Sequence, residues 1–336
     1  KADFTLDDVY HSLKHFNKIE KEAQQFIHER IVEQYDRKTD LLYYDVTNYY
    51  FEIDEQDEFR KKGPSKEHRP NPIVQMGLAL DRQGIPLSYQ LFEGNTHDSQ
   101  TMMPVLKTIK KQFKTDRIIV VADKGLNSGD NIAFNTALGD GYVYSQTIRG
   151  ASNEFKQFVL DNEGYRGDEN FKVKSRVIPT TISVTVGKYQ NGKPRKKKIQ
   201  VDQKQVVYYS SKYARRSKKK REELLAKAAS LIANPSKYTR STSYGAASYV
   251  ANIEFDKETG EIQENGKMLF LDEEKIKQEE ELDGYYAIIT SELDEPDERI
   301  IEIYQGLWKI EESFKVTKST LDARPVYLSR EDHINA

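Results

Sequence analysis

The feature that most limits the fold is the run Ile118-Ile119-Val120-Val121-Ala122, five apolar residues ending at an aspartate. A strand with no polar face must be covered on both sides, which is the position of a central parallel strand in an α/β sheet. The flanking segments fit that reading. Residues 101–113 carry a helical pattern with Pro104 in what reads as a first turn, and Ser128 is placed to cap a helix ending near Gly139. Residues 142–147 then return to a strand pattern.

Upstream, residues 6–37 read as helix from apolar residues at helical spacing (Val9, Leu13, Phe16, Ile19, Ala23, Phe26). Three β-rich runs follow at residues 41–52, 73–80 and 86–92, the last two split by Asp81-Arg82-Gln83-Gly84. The order βββαβαβ is that of a ribonuclease H-like α/β core. Downstream, residues 182–189 and 198–210 flank Asn191-Gly192, which predicts a hairpin with a primed two-residue turn. A basic helix over about residues 212–233 stops before Pro235, and Thr259-Gly260 and Asn265-Gly266 mark turns. The expected map is a leading helical region (1–40), the first part of the core (41–150), an inserted β-rich and basic-helix subdomain (151–282), and the rest of the core with a last helix (283–336).

Composition narrows the function. No apolar run reaches the roughly 20 residues of a membrane span and no signal-peptide pattern opens the chain, so the expected location is the cytoplasm, with no membrane partner. The absence of cysteine leaves carboxylates, histidines and carbonyls as metal ligands and favours Mg²⁺ or Mn²⁺ over structural zinc. The net charge of -2 hides segregation. Residues 193–221 hold thirteen Lys/Arg and one acid, a local +12 that leaves -14 for the rest. Such asymmetry fits a polyanion at one place. Within it, Lys196, Lys197, Lys198, Arg215, Arg216, Lys218, Lys219 and Lys220 are candidate DNA contacts, with Tyr208, Tyr209 and Tyr213 as stacking surfaces. A solvated charged hairpin and helix is the plainer reading. The chain starts at Lys1 without Met and ends at Ala336 in a polar run, and so reads as a trimmed piece.

Asp45 stands in a strand-like run and Asp123 directly follows the apolar strand. A buried carboxylate is costly without a cation, although Asp123 opening a turn and Asp45 pairing with a base explain each residue alone. The last helix, read as one rod over about residues 298–321, adds geometry. Ile303, Leu307, Ile310, Phe314, Thr317 and Leu321 form its apolar stripe, with Tyr304, Glu311 and Lys318 seven residues apart along the stripe's edge. Glu312 falls roughly opposite the stripe, so Glu311 is the acid expected to lean toward the strands.

The run from Tyr304 to Lys318 resembles the Y-x2-R-x3-E-x6-K signature of a large group of bacterial DDE-type insertion-sequence transposases. Tyr304, Glu311 and Lys318 match, and Leu307 stands where the signature has Arg. The segments Tyr43-Tyr44-Asp45-Val46-Thr47-Asn48 and Val121-Ala122-Asp123-Lys124-Gly125 resemble the blocks around that group's first two catalytic aspartates, and Gly94-Asn95-Thr96-His97-Asp98 also looks familial. The resemblance implies that Asp45, Asp123 and Glu311 hold two Mg²⁺ (or Mn²⁺) ions and catalyse DNA cleavage and strand transfer at the inverted-repeat ends of an insertion sequence. It implies that Tyr304 and Lys318 contact phosphates and that a homodimer works on double-stranded DNA. It puts a hairpin route in question, because Leu307 replaces the Arg. Trp308 suits DNA stacking or core packing equally, His97 and Asp98 read as helix capping, and the 65–69 loop reads as exposed. Two other readings stand beside the transposase: a domesticated, non-cleaving DNA-binding protein on the same scaffold, and a metal-dependent nuclease unconnected with transposition.

Overall fold

The fold is described from a computed structural model, over residues 3–66, 69–256, 259–263 and 266–336. A 30-residue helix, α1 (Leu6–Tyr35), opens the chain, capped by Thr5 and Asp8 in a reciprocal box. Then come β1 (Leu41–Tyr50), β2 (Ile73–Leu80), β3 (Pro86–Glu93), α2 (Asp98–Phe113), β4 (Ile119–Ala122), α3 (Gly129–Ala137) and β5 (Gly141–Gln146). This βββαβαβ order is the ribonuclease H-like core expected from the sequence. Next are α4 (Asn153–Leu160), β6 (Arg166–Gly167), β7 (Phe171–Lys188), β8 (Pro194–Ser210), α5 (Ser211–Ala233), β9 (Val250–Ala251), β10 (Phe270–Leu271), α6 (Glu273–Glu281) and β11 (Tyr285–Thr290). The chain closes with α7 (Asp297–Gln305), α8 (Trp308–Lys315) and α9 (Glu331–Ile334).

The larger sheet has the strand order β3-β2-β1-β4-β5-β11-β8-β7-β6. β1 runs antiparallel to β2 and parallel to β4, and β4 parallel to β5. Leu42, Tyr44, Val120, Ala122, Tyr142 and Tyr144 bury one face of these strands in a core shared with Met102, Leu106 and Ile109 of α2. By period-two alternation, Tyr43, Asp45, Val121, Asp123, Val143 and Ser145 lie on the other face.

The chain forms two compact units, and they do not follow the expected 151–282 insertion. The first comprises residues 1–146, 177–205 and 288–336; the second comprises 147–176 and 206–287. The physical reason is the length of β7 and β8. In the first unit, Ile182, Val184, Ile199 and Val201 pack on the same core as β1, β4 and β5, and Asp130 of α3 accepts the Thr185 amide (2.6 Å) and hydroxyl (2.9 Å). Nothing local in these strands says which core each stretch of them joins. The second unit has its own apolar clusters, one around Phe155, Val159 and Val207 and another around Ala228, Leu231 and Tyr249.

Three local expectations change. Pro104 lies inside α2 rather than in its first turn, because His97 caps a helix that starts at Asp98, with its ring nitrogen accepting from the Ser99 amide (3.4 Å). The capping expectation for His97 thus holds. The β7–β8 turn is a three-residue loop in which Gly192 (φ +79°) is the left-handed residue, with Gly192 N–H donating to Tyr189 O (2.9 Å) and Tyr189 N–H to Lys193 O (2.8 Å). Gly260 and Gly266 are left-handed as turn residues should be; Asn265, and positions 67 and 68 of the polar loop, lie outside the described residues.

The expected single last helix is interrupted. α7 and α8 meet at Gly306 and Leu307, and residues 316–320 form a π-helical turn. A Cβ at Gly306 would overlap the Tyr43 hydroxyl, so close approach to β1 requires glycine here. Gly306→Ala is expected to destabilise the chain by about 1–3 kcal/mol, as overpacking does. Tyr43→Phe added to it is expected to recover part of that loss in thermal or denaturant melts. Equal stability of parent and Gly306→Ala would contradict the close packing.

Candidate active site

The two aspartates come together through strand register. Tyr43 of β1 is the parallel partner of Val121 of β4, so two residues further on Asp45 and Asp123 lie abreast on one face. Ala122 partners Tyr144 of β5, which sets Ser145 beside Asp123 in turn. The Ser145 hydroxyl donates to Asp123 Oδ1 at 2.6 Å, and the Tyr304 hydroxyl of α7 donates to the same oxygen at 3.4 Å. Asp45 Oδ1 accepts from the Val46 amide at 2.7 Å.

Burial raises the pKa of Asp45 to about 6, although the Lys66 ammonium and the Val46 amide pull it down; the negative charges of Asp123 and Asp98 push it further up. Lys66, from the loop after β1, donates its ammonium to Val46 O and its backbone N–H to Asn48 Oδ1 (3.0 Å). A desolvated carboxylate facing like charges is the environment in which a bound cation is most favourable, so Asp45 and Asp123 fit as metal ligands. Glu311 is exposed, and among the described residues no group of three or more acidic or histidine side chains is clustered closely enough to hold an ion. The structure therefore joins two of the three expected ligands directly.

The α7–α8 segment lies along the Asp45 face of β1. Lys309 sits over the Tyr43 ring (5.1 Å), the Tyr49 and Thr317 hydroxyls are hydrogen-bonded (2.8 Å), and Lys318 sits over the Tyr49 ring (5.9 Å). Tyr304 is buried at 8% exposure with its hydroxyl on Asp123. Trp308 is 58% exposed, which decides against core packing. Glu312 faces solvent, as geometry predicts, and pairs with Lys315 (3.6 Å).

The basic run is divided. Lys196, Lys197 and Lys198 are exposed on β8 within the first unit, while Arg215, Arg216, Lys218, Lys219 and Lys220 are exposed on α5 within the second. Arg221 is instead buried, donating to Asp283 (2.5 Å) and Glu280 (3.4 Å). Sequence reasoning missed Ser145, Lys66 and Asp98 as neighbours of the aspartates. A serine directly after the apolar and aromatic run Tyr142-Val143-Tyr144 of β5 was a usable signal; Lys66 had none.

The fold and paired aspartates define a ribonuclease H-like protein with an acidic centre formed by Asp45 within β1 and Asp123 just past β4. The sequence profile of the transposase DDE domain matches residues 51–336, and the chain belongs to that family. Asp45 lies just ahead of the matched stretch. No curated protein matches the chain. Among solved structures, a Mos1 transposase paired-end complex with left transposon end is similar at 12% identity, with TM-score 0.23 and coverage of 36% of this chain and 39% of that one. A Mos1 mariner paired-end complex with Mn gives 15%, 0.20, 36% and 41%, and a piggyBac transposase synaptic complex with hairpin DNA gives 12%, 0.26, 47% and 32%. The chain thus spans well under half the length of these proteins. Among the described residues no helix is long and apolar enough to cross a membrane.

Proposed function

We propose that this chain is the catalytic part of an insertion-sequence transposase that cleaves and joins DNA with Asp45, Asp123 and Glu311 as metal ligands. The observation that carries the third ligand is the track of α7–α8 over β1. Tyr43 lies under Gly306 and Lys309, and Tyr49 lies at Thr317 and Lys318. Asp45 is a third of the way from Tyr43 to Tyr49, which brings it level with the helix near Glu311, given rises of about 1.5 Å per helical and 3.3 Å per strand residue.

When bound, a pair of Mg²⁺ or Mn²⁺ ions would activate the attacking water or 3′-hydroxyl and stabilise the leaving oxygen. Ser145 and Tyr304 fix the orientation of Asp123, and Lys66 offsets the charge of Asp45 until a cation arrives. Lys318 and Trp308 line the same helix for backbone and base contacts. Double-stranded element ends are the substrate in this reading, handled by a homodimer. Incubating the chain with labelled element ends and Mg²⁺, and mapping nicks and joined products, tests it. Cleavage of end-bearing DNA but not of random duplex is expected. Equal cleavage of both would favour the plain nuclease, and binding without cleavage the domesticated DNA-binding protein.

For the basic segments, Lys196, Lys197 and Lys198 changed to Ala, and separately Lys218, Lys219 and Lys220 changed to Ala, are each expected to weaken DNA binding. Each is expected to flatten the dependence of log K on log salt, by up to about 0.9 for every phosphate that is no longer neutralised. A triple variant that leaves affinity and slope unchanged would remove its segment from the interface.

A further inference from the structure

Helix α1 has 30 residues and not one of them is buried. Its inner side is fastened to the first unit by polar and ring contacts: Tyr10 stacks on His333 (5.3 Å), Gln24 accepts from Ser88 (3.0 Å), and the Lys21 carbonyl accepts from Gln112 (2.8 Å). The His28 ring meets Phe113 (4.6 Å), and Arg37, just past the helix, forms a buried ion pair with Asp81 (2.7 Å). Roughly 140° around the helix from that side runs a second, mostly apolar stripe. Val9, Ser12, Phe16, Ile19, Ala23 and Phe26 fall at alternating spacings of three and four, the a and d positions of a heptad pattern. Val9 is 38%, Phe16 53% and Phe26 60% exposed, and Ile27 beside them 53%. Scattered apolar residues on a surface need no explanation, but a heptad line nearly five turns long with five apolar positions, of which Val9, Phe16 and Phe26 are exposed and Ile19 and Ala23 half-buried, does.

We propose that this seam is a self-association surface, and that α1 pairs with α1 of a second copy of the chain in an antiparallel coiled coil. The sequence is self-complementary in that direction. Antiparallel a-to-d layers match residues whose numbers sum to 35: Val9 with Phe26, Ser12 with Ala23, and Phe16 with Ile19, each twice about a two-fold axis. Every aromatic ring then meets an aliphatic side chain. In the parallel alternative, Phe16 would meet Phe16 and Phe26 would meet Phe26, while Asp7 and Asp8 of the two first turns would lie side by side with the helix dipoles aligned. Arg30 falls beside the acidic first turn of the other copy while Asp8 falls beside its Glu29, so the apolar layers and not the flanking charges set the direction. This self-association is independent of the cleavage chemistry.

The chain contains no cysteine, so introduced thiols report on this geometry alone. The 336-residue chain is expected to sediment as a concentration-dependent dimer, and Phe16→Glu/Phe26→Glu as a monomer with unchanged helical circular dichroism. Oxidation of Ser12→Cys/Ala23→Cys is expected to give a covalent dimer. Ser12→Cys alone and Ala23→Cys alone are expected to give none, because like positions would be about 16 Å apart along the axis, beyond the roughly 7 Å between Cα atoms that a disulfide spans. A monomeric parent chain would overturn the proposal, whatever else might cover the seam. A dimer that survives the double Glu substitution, or single-cysteine variants that cross-link as well as the double one, would also overturn it.

Discussion

Asp45→Asn, assayed without divalent cations at neutral pH, is expected to melt at a higher temperature than the parent while losing orders of magnitude in DNA cleavage. The two effects have one cause. In the folded chain burial disfavours the charged form of Asp45 and lifts its pKa from 3.8 to about 6, with Asp123 and Asp98 adding to the rise. A folded pKa above the unfolded value means that the ionised group destabilises. The penalty is absent below pH 4, grows between pH 4 and 6, and is complete above. Two pKa units correspond to about 3 kcal/mol, a net figure that already includes the attraction of Lys66. The stability difference between variant and parent should therefore vanish in acid and open as the pH rises through 6. Mg²⁺ or Mn²⁺ should stabilise the parent more than the variant, since only the parent offers the full charge to an ion. A variant less stable than the parent at neutral pH, with the same response to cations, would show that Lys66 alone balances Asp45.

Such a stability cost marks where local rules give way to function, and it was partly visible from the sequence. Asp45 inside a strand-like run and Asp123 at the end of an apolar one both break the apolar pattern. Parallel register then follows from the helical crossover between β1 and β4 that such strands require. The cap at Ser128 was also readable because its partner is three residues away. What could not be read depends on distant partners. The break between α7 and α8 falls where Gly306 meets Tyr43, on a strand at the other end of the chain. Arg221 looks like its exposed neighbours Lys218, Lys219 and Lys220 until Asp283 arrives beside it. The hydroxyls of Ser145 and Tyr304 find Asp123 only once three strands and a helix have assembled. The division of the 151–282 block was hidden for the same reason, since nothing local in β7 and β8 says which core each stretch joins.

The π-helical turn at residues 316–320 bears on the site, since it contains Lys318 and alters the seven-residue spacing expected of one regular helix. Lys318 is nonetheless over Tyr49, which extends the line of contacts on the Asp45 face of β1. Glu311 is exposed in the chain by itself, so a three-carboxylate site requires its side chain to be drawn to the aspartates when cations and DNA are present.

Whether Glu311 is the third ligand is decided by the single-turnover cleavage rate of Glu311→Gln beside Glu312→Gln, on DNA carrying the element's ends with saturating Mg²⁺. Gln keeps the size of Glu and removes its charge, so fold and DNA affinity should be unchanged in both. Loss of a ligand that helps stabilise charge on the transferring phosphate should lower the chemical step in Glu311→Gln by roughly 10²-fold or more, as removing a preorganised stabilising group does. Glu312, turned roughly 100° further around the helix and paired with Lys315, should leave the rate within a few-fold of the parent. A slow Glu311→Gln beside a normal Glu312→Gln is the predicted result. Normal rates in both would contradict the three-carboxylate site, and a slow Glu312→Gln beside a normal Glu311→Gln would show that the other carboxylate is the one that serves it.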